Sequence, residues 1–321
     1  MFTVREVNTP GGRLQYRTDL LTGLSCRIST ARLRRGIDQA PQVTSSAEGC
    51  PFCPERLEHT TPVFSDGRRI VYGESVTFPN LFPFGAWHTV TVISRAHTVE
   101  RFSAKQLLDA FSGQIESLEG HEGFPSINWN YLPSAGASIA HPHIQGLVDQ
   151  EPSFRVRRCM EGGKRYLQKM GRSYWDDMRE AEMRSTRQLL DGHLFWFANP
   201  VPMGEREVLC ILPFSHLDEM KSELIAFVEG LLCMIDFYRT FGTSAFNLSI
   251  FFEEEGEEHG FRAFSSMIAR INPNTVSLSD SSFMERLHLE PLILTMPEEM
   301  GPIFRRMQET VSPSAKSNDN S

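Results

Sequence analysis

Alternating and helical patterns of apolar residues divide the chain into strands and helices. The run T-V-T-V at residues 89–92 alternates with the two-residue period of a half-buried strand. Residues 103–119 predict an amphipathic helix, because apolar positions recur on one helical face and Ser103 with Gln106 forms a capping box. Further strands are predicted within residues 1–20, 76–97, 126–131, 138–148 and 261–272, and further helices within residues 151–190, 218–240 and 283–308.

One strand–strand–helix–strand pattern occurs twice. Residues 199–216 align with residues 80–97 without a gap, at a constant offset of 119. Identical residues at that offset are Asn80 and Asn199, Pro83 and Pro202, Gly85 and Gly204, and His97 and His216. Several matches at one offset indicate an internal duplication. Carried onward, the offset places Gly260 and Arg262 at the positions of His141 and His143, so we expect chemistry in the first copy only.

Composition limits the class of protein. The chain has 321 residues, of which 40% are hydrophobic and 22% charged, which is typical of a soluble globular protein. A net charge of −8 does not suggest a nucleic-acid-binding surface. The first residues show no signal peptide, and no apolar run approaches membrane-spanning length. We therefore expect a cytoplasmic protein without nucleic-acid or membrane partners.

The stretch from residue 128 to residue 146 carries the clearest chemical signal. Small side chains at residues 135–138 let backbone amides approach an anion, as in a phosphate cradle. In an extended His-Pro-His segment His141 and His143 share a face, and Gln145 lies on it too. Ordinary hydrogen-bonded histidines are the alternative interpretation. The small residues before the histidines and the glutamine after them favour a functional role.

His143 is the candidate nucleophile. A neutral imidazole can attack phosphorus and form a covalent nucleotidyl-histidine, provided that an acceptor such as a backbone carbonyl holds its other ring nitrogen. Gln145 and Ser138 could donate hydrogen bonds to the phosphate as charge develops. Asn130, eight residues before Ser138, could also reach the phosphates.

Cys50 and Cys53 form a C-P-F-C motif, which in a reducing compartment favours metal binding or redox chemistry over a disulfide. Zinc takes four nitrogen or sulfur ligands, and His97 and His141 are the natural candidates for the other two. A metal-free thiol pair with both histidines on the surface is equally compatible with the residues alone. The other four cysteines stand singly and are predicted to be small core residues.

A basic segment at residues 27–42 contains Arg32, Arg34 and Arg35. It could be a solvated surface, or one or two of its arginines could bind phosphate oxygens in a forked arrangement.

The motif N-x(7)-S-x-x-H-P-H-x-Q over residues 130–145, with C-P-F-C upstream and His97 between them, resembles the galactose-1-phosphate uridylyltransferase branch of the histidine-triad superfamily. The resemblance extends over roughly residues 25–300 and is dense only at the motifs. It implies an α+β fold of two histidine-triad-like repeats, each a mostly antiparallel half-barrel sheet with flanking helices. The predicted parts are a catalytic, zinc-containing repeat (1–150), a connector helix region (151–190), a second, non-catalytic repeat (191–310) and a disordered tail (311–321).

The resemblance also implies an activity: transfer of a nucleoside monophosphate from a nucleotide sugar to a sugar 1-phosphate, by ping-pong exchange in a homodimer. It implies His143 as the nucleotidylated residue, with Gln145, Ser138 and Asn130 on the phosphates. The remaining implied site residues are Arg32 and Arg35 near phosphate, Asn80 in the nucleoside pocket, and Cys50, Cys53, His97 and His141 as zinc ligands.

Three features differ from the family pattern. Leu81 replaces a frequent acidic residue, the second repeat lacks a histidine-rich strand, and residues 283–290 match the family's sugar-binding segment only loosely. We therefore expect no second metal site, and the acceptor stays open. A phosphorylase or hydrolase using His143 is one alternative, and a non-catalytic nucleotide-binding protein is another.

Overall fold

The structure is a computed structural model that describes residues 1–9, 12–31, 46–254, 260–271 and 279–311. Arg32 and Arg35 lie outside the described residues, as does the predicted tail beyond its first residue. The described residues form helices and largely antiparallel sheets, so the α+β class predicted from the sequence is confirmed. No helix in the described ranges is both long and apolar enough to span a membrane.

The strands and helices follow one another along the whole described chain. The strands are β1 Phe2–Thr9, β2 Gly12–Asp19, β3 Ser25–Ile28, β4 Ile70–Tyr72, β5 Ser75–Pro79, β6 Trp87–Val92, β7 Phe124–Tyr131, β8 His143–Asp149, β9 Gln188–Asp191, β10 Phe195–Ala198, β11 Val208–Ile211, β12 Phe246–Phe251, β13 Phe264–Ala269 and β14 Leu292–Ile293. The helices are α1 Pro54–Thr60, α2 Ala104–Leu118, α3 Phe154–Met170, α4 Tyr174–Met183, α5 Met220–Thr240 and α6 Pro297–Val311.

The main sheet has a symmetrical strand order. Its ten strands run β4-β5-β6-β8-β7-β12-β13-β11-β10-β9, so each half has the same order when read outward from the central pair β7 and β12. The two central strands are antiparallel, with Asn128 opposite Ser249. A separate small sheet, β1-β2-β3-β14, contains the N-terminal hairpin.

Strand register corrects the residue that corresponds to His143. In the first half His143 of β8 lies opposite Val92 of β6, and in the second half Phe264 of β13 lies opposite Ile211 of β11. Val92 and Ile211 are related by the offset of 119, so the counterpart of His143 is Phe264 and not Arg262. The chain between β11 and β13 is two residues longer than the corresponding chain between β6 and β8, which a constant offset cannot accommodate.

The main core lies between one sheet face and the helices α2 and α5. Phe111 of α2 packs edge-on against Phe227 of α5, with ring centroids 5.8 Å apart, and both side chains are buried. Helix α2 begins at the predicted capping box, since Ser103 and Gln106 each accept a hydrogen bond from the other's backbone amide. On the opposite face, the C-P-F-C segment and α1 pack against β5 and β6 in the first half, and α3 and α4 pack against the second half.

Two predicted elements are corrected. Residues 151–190 do not form one connector helix, because Gly171, with a φ of +72°, ends α3 before α4 begins, and the segment then enters β9. The strand predicted over residues 138–148 begins only at His143. His141 therefore precedes the strand, and the residues before it form a turn around the 3₁₀ segment Pro133–Ala135.

Gly146 allows close contact between β8 and α2. A Cβ atom at Gly146 would lie 2.1 Å from Nε2 of Gln114, a buried side chain whose amide donates to Thr89. We expect Gly146→Ala to lower the free energy of unfolding by about 1–3 kcal/mol, because the helix must move or Gln114 must leave its partners. Urea unfolding measures this change.

Gly192 provides the matched control for that substitution. A Cβ at Gly192 meets no atom within 4 Å, so Gly192→Ala should leave the free energy of unfolding nearly unchanged. Equal stability of the Gly146→Ala and Gly192→Ala variants would contradict the close-contact interpretation.

Candidate metal centre and histidine site

The predicted metal ligands lie together. The ligand atoms of Cys50, Cys53, His97 and His141 all lie within 4.8 Å of one another. Cys53 is the N-cap of α1, and His97 lies in the loop after β6 rather than at the strand end. Three separate segments thus supply one group of four potential ligands, and the group could hold a metal ion.

The distances within this cluster fit a tetrahedral ion. With metal–sulfur and metal–nitrogen bonds typical of zinc, a tetrahedron has sulfur–nitrogen edges of about 3.6 Å. The distance from Cys53 Sγ to His97 Nδ1 is 3.5 Å, and those from both cysteine sulfurs to His141 Nδ1 are 3.7 Å. Burial and the neighbouring Cys50 raise the pKa of the Cys53 thiol to about 11, so a bound cation would favour the Cys53 thiolate.

A backbone contact orients His141 toward the thiols. Its Nε2 donates to the carbonyl oxygen of Ser94 at 2.7 Å, and a carbonyl can only accept, so the neutral ring presents the Nδ1 lone pair to the cysteines. The Glu74 carboxylate supports this loop by accepting from the hydroxyl of Ser94 and the amide of Arg95. These contacts fix the ligand geometry from outside the cluster.

His143 has the arrangement expected of a nucleophile. Its Nδ1 donates to the carbonyl oxygen of His141 at 2.8 Å, which leaves the lone pair on Nε2. Its residue surface is only 6% exposed, and this burial lowers the pKa of His143 below the ordinary histidine value, although the carbonyl contact partly opposes the shift. The imidazole is therefore neutral near pH 7. Phe52, from the C-P-F-C motif, packs edge-on against it with ring centroids 5.2 Å apart.

The cradle before the histidines is a tight turn. Leu132 has a φ of +74°, which is strained for a residue with a side chain, and Gly136 follows with a φ of +89°. The Leu132 carbonyl accepts from the amide of Ala135 at 2.9 Å. Ser138 is exposed after the turn, so its hydroxyl can face a ligand. Backbone strain at such a turn is typical of binding sites.

A side chain from the second half holds Asn130. Asn247 donates from Nδ2 to Asn130 Oδ1 at 2.6 Å and to the carbonyl oxygen of Ala135 at 2.8 Å. Arg270 donates to Asn247 Oδ1 at 2.7 Å and pairs with the carboxylate of Asp280. Since the Asn130 oxygen accepts this contact, the amide nitrogen of Asn130 remains the donor end. Asn130 lies two residues beyond Asn128, which pairs with Gln145 at the end of the ladder between β7 and β8.

Gln145 and Asn80 meet at a histidine that sequence reasoning did not select. His88 is buried on β6 and its Nε2 lies 3.1 Å from Gln145 Oε1. Asn80 Nδ2 lies 3.0 Å from the same nitrogen, and the Asn80 oxygen accepts from the amide of Phe82. The predicted nucleoside residue Asn80 is thus tied to the predicted catalytic Gln145. The signal in the sequence was the alternation of β6, which puts His88 on the opposite face from Thr89 and Thr91.

The second half repeats this arrangement with other residues. Asn199, at the position of Asn80, donates to Glu207, and Ser266 donates to the same carboxylate. In both halves the side-chain oxygen of the asparagine accepts from the backbone amide two residues later. The backbone amide of the same asparagine donates to the backbone carbonyl oxygen eight residues later. The two halves therefore share a local hydrogen-bonding pattern in addition to their strand order.

Solved structures with the same fold are galT-like enzymes and proteins. An ADP-glucose phosphorylase from Arabidopsis thaliana with bound ADP-glucose superposes with a TM-score of 0.71 at 16% identity, over 91% of this chain and 98% of that chain. A galT-like protein from Arabidopsis thaliana superposes with a TM-score of 0.70 at 16% identity, over 90% of this chain and 98% of that chain. A uridylyltransferase mutant superposes with a TM-score of 0.69 at 16% identity, over 92% of this chain and 98% of that chain.

Sequence comparison finds a relative with a higher sequence identity than these structures. An uncharacterised protein of Archaeoglobus fulgidus is 26% identical over 306 residues, which is 92% of each chain. No protein-family model matches the chain. The fold is that of solved uridylyltransferase and galT-like structures, so the uridylyltransferase-like resemblance carried by the motifs is confirmed at the level of the fold.

Proposed function

We propose that the protein is a nucleotidyltransferase that moves a nucleoside monophosphate from a nucleotide sugar to a sugar 1-phosphate through a covalent intermediate on His143. The observation that carries the proposal is the tautomer of His143. Its Nδ1 is committed to the His141 carbonyl, so Nε2 bears the lone pair. A buried, neutral and oriented imidazole is what a nucleophile for phosphorus requires.

In the first step, His143 Nε2 attacks the α-phosphorus of the donor. A phosphorus–nitrogen bond forms, and the bond to the bridging oxygen breaks, so that sugar 1-phosphate leaves with the electron pair. The Gln145 amide, the Asn130 amide and the Ser138 hydroxyl are proposed to donate to the phosphoryl oxygens as charge develops. In the second step, a phosphate oxygen of the acceptor attacks the same phosphorus and the phosphorus–nitrogen bond breaks.

Zinc is the proposed ion at Cys50, Cys53, His97 and His141, because two thiolates and two imidazoles in a tetrahedron are a typical zinc set. The ion would supply structural cross-linking of three chain segments. The chain's own contribution is geometric: His141 reaches the cluster through its ring and holds His143 through its carbonyl oxygen. The position of the four ligand side chains is thereby linked to the orientation of the His143 ring.

We also propose that the two halves are histidine-triad-like repeats, with the boundaries predicted from the sequence. The symmetrical order of the main sheet and the shared hydrogen bonds of Asn80 and Asn199 support this division. Homodimer formation and a cytoplasmic location stay predictions from the sequence and from the resemblance. Arg32 and Arg35 likewise stay proposed phosphate ligands.

A phosphorylase is the second candidate, because an ADP-glucose phosphorylase shares the fold over nearly its whole length. In that case inorganic phosphate, not a sugar 1-phosphate, would take the nucleotidyl group from His143. The first step is the same in both reactions. Product analysis with and without phosphate distinguishes them.

Intact mass spectrometry tests the shared first step. The protein is mixed with a panel of nucleoside-diphosphate sugars without acceptor. We expect a mass increase of one nucleoside monophosphate with the true donor, which also identifies the base. Release of that mass by sugar 1-phosphate supports the transferase, and release by inorganic phosphate supports the phosphorylase. Absence of both an adduct and any turnover across the panel would contradict the proposal.

A further inference from the structure

His88 contacts two residues of the proposed site, Gln145 and Asn80. It is 3% exposed, lies on β6 and has Gln145 Oε1 3.1 Å from Nε2. Its other ring nitrogen, Nδ1, lies 3.5 Å from the amide nitrogen of Phe84. Asn80 Nδ2 lies 3.3 Å from Nδ1 and 3.0 Å from Nε2. The ring of Phe84 packs on it edge-on, with centroids 4.3 Å apart. All the polar contacts of the imidazole are therefore made within the protein.

The contact with Phe84 selects one tautomer of His88. The backbone N–H of Phe84 can only donate and it meets Nδ1, so Nδ1 carries the lone pair and Nε2 carries the hydrogen. Asn80 Nδ2 is a donor because its oxygen already accepts from Phe82, but it lies close to both ring nitrogens and does not discriminate between them. The Nε2–H then requires an acceptor on Gln145, which is the amide oxygen. Burial also lowers the pKa of His88 and keeps the ring neutral, although the contact with Gln145 partly opposes this shift.

We propose that His88 is a positioning residue that fixes the amide orientation of Gln145. Because the Gln145 oxygen is held by His88, the amide nitrogen is the end left to face the phosphoryl group beside His143. An amide free to rotate would present its oxygen, which repels a phosphate, about as readily as its nitrogen. The inference rests on the proposed nucleotidyl transfer for its catalytic consequence, but the hydrogen bond itself can be tested without substrate.

The second half shows what a merely structural version of this arrangement is like. There Glu207 replaces His88, accepts from Asn199 and Ser266, and pairs with Arg155 at 2.7 Å. Phe264 stands at the position of His143, so the histidine nucleophile has no counterpart beside this cluster. In the first half, by contrast, the neutral imidazole of His88 holds the side-chain amide of Gln145. Asn199→Ala is therefore a matched control that should lower stability without changing the first chemical step.

Nuclear magnetic resonance tests the hydrogen bond in the free protein. With ¹⁵N-labelled histidine, we expect one resonance set of the Nε2–H tautomer that is lost in His88→Gln and displaced in Gln145→Leu. An Nδ1–H tautomer for His88, or a resonance unchanged in Gln145→Leu, would overturn the inference whether or not the protein forms an adduct. Failure of the proposed function alone would leave this resonance pattern intact.

Single-turnover kinetics test the catalytic consequence. We expect His88→Phe to slow nucleotidylation of His143 by roughly tenfold to a hundredfold, which is somewhat less than the typical loss on removing an oxyanion donor outright. The dissociation constant of the donor should change by less than about threefold, because orientation of Gln145 matters most as charge develops. His88→Gln keeps an N–H donor near the same place and should recover most of the rate.

A double variant separates positioning from general destabilisation. If His88 acts through Gln145, the variant carrying both His88→Phe and Gln145→Leu should be no more than about twofold slower than Gln145→Leu alone. Multiplication of the two losses, or a wild-type rate in His88→Phe, would overturn the inference. If the phenylalanine variant does not fold, the tautomer of His88 and its response to Gln145→Leu, measured by nuclear magnetic resonance, carry the test.

Discussion

Replacing His143 by alanine should abolish the covalent adduct and slow turnover by on the order of 10⁴-fold or more. The proposed reaction has two displacements at one phosphorus, and both pass through Nε2 of this residue. The fold should remain intact, because the ring makes one hydrogen bond, to the carbonyl oxygen of His141, and the rest of its contacts are with the wall of the site. Intact mass with the donor, followed by steady-state rates, measures both effects.

An exposed histidine supplies the control. His193 pairs with Glu223, and its side chain is 67% exposed, far along the sheet in the β9–β10 turn. His193→Ala should form the adduct at the wild-type rate. A folded His143→Ala protein that still forms a nucleotidyl adduct would rule out His143 as the nucleophile and leave the binding-protein or direct-transfer alternatives.

Replacing Cys53 by serine should remove the metal and lower the midpoint of thermal unfolding by on the order of 10 °C. The proposed ion would bind only the folded arrangement of α1, the loop after β6 and the turn before β8, so its binding free energy would stabilise that arrangement. We expect about one zinc ion per wild-type chain by elemental analysis. Chelation of the wild type should lower the unfolding midpoint by a similar amount, and zinc should restore it.

Cys233 is the matched cysteine control. It stands alone on α5, is partly buried and contributes no atom to the cluster. Cys233→Ser should keep the metal content and the response to chelator. A metal-free wild-type protein whose thermal midpoint does not respond to zinc or chelator would instead support the metal-free thiol pair that the sequence left open.

The spacing of residues along the chain predicted the features of the site that involve only a few consecutive residues. Alternation along a strand places His143 and Gln145 on one face, and the backbone carbonyl acceptor expected for His143 is that of His141, two residues away. The capping box at Ser103 likewise follows from residues within one turn. Such features depend on backbone geometry over a few residues, which the order of amino acids determines directly.

Contacts between distant side chains outside the recognised motifs were not predicted from the sequence. Asn247 reaches Asn130 across 117 positions of the chain, and His88 reaches Gln145 across 57. Neither contact leaves a local pattern, because each depends on which strands become neighbours and in which register. The same limit explains the displaced counterpart of His143. Two additional residues between β11 and β13 shift the ladder, and Phe264 takes the position that the constant offset gave to Arg262.

The contact between Asn130 and Asn247 limits how this protein could be shortened. The first 150 residues contain every proposed metal ligand and the proposed nucleophile, yet the turn that would receive the phosphate is held from β12 by Asn247. A gene fragment encoding that half alone would also expose the edge of β7, which Trp129 and its neighbours share with β12. The half proposed to be non-catalytic is thus still required by the half proposed to be catalytic. The proposed activity needs both halves on one chain, and selection should act against substitutions at Asn247 for a reason that the sequence of its own half does not reveal.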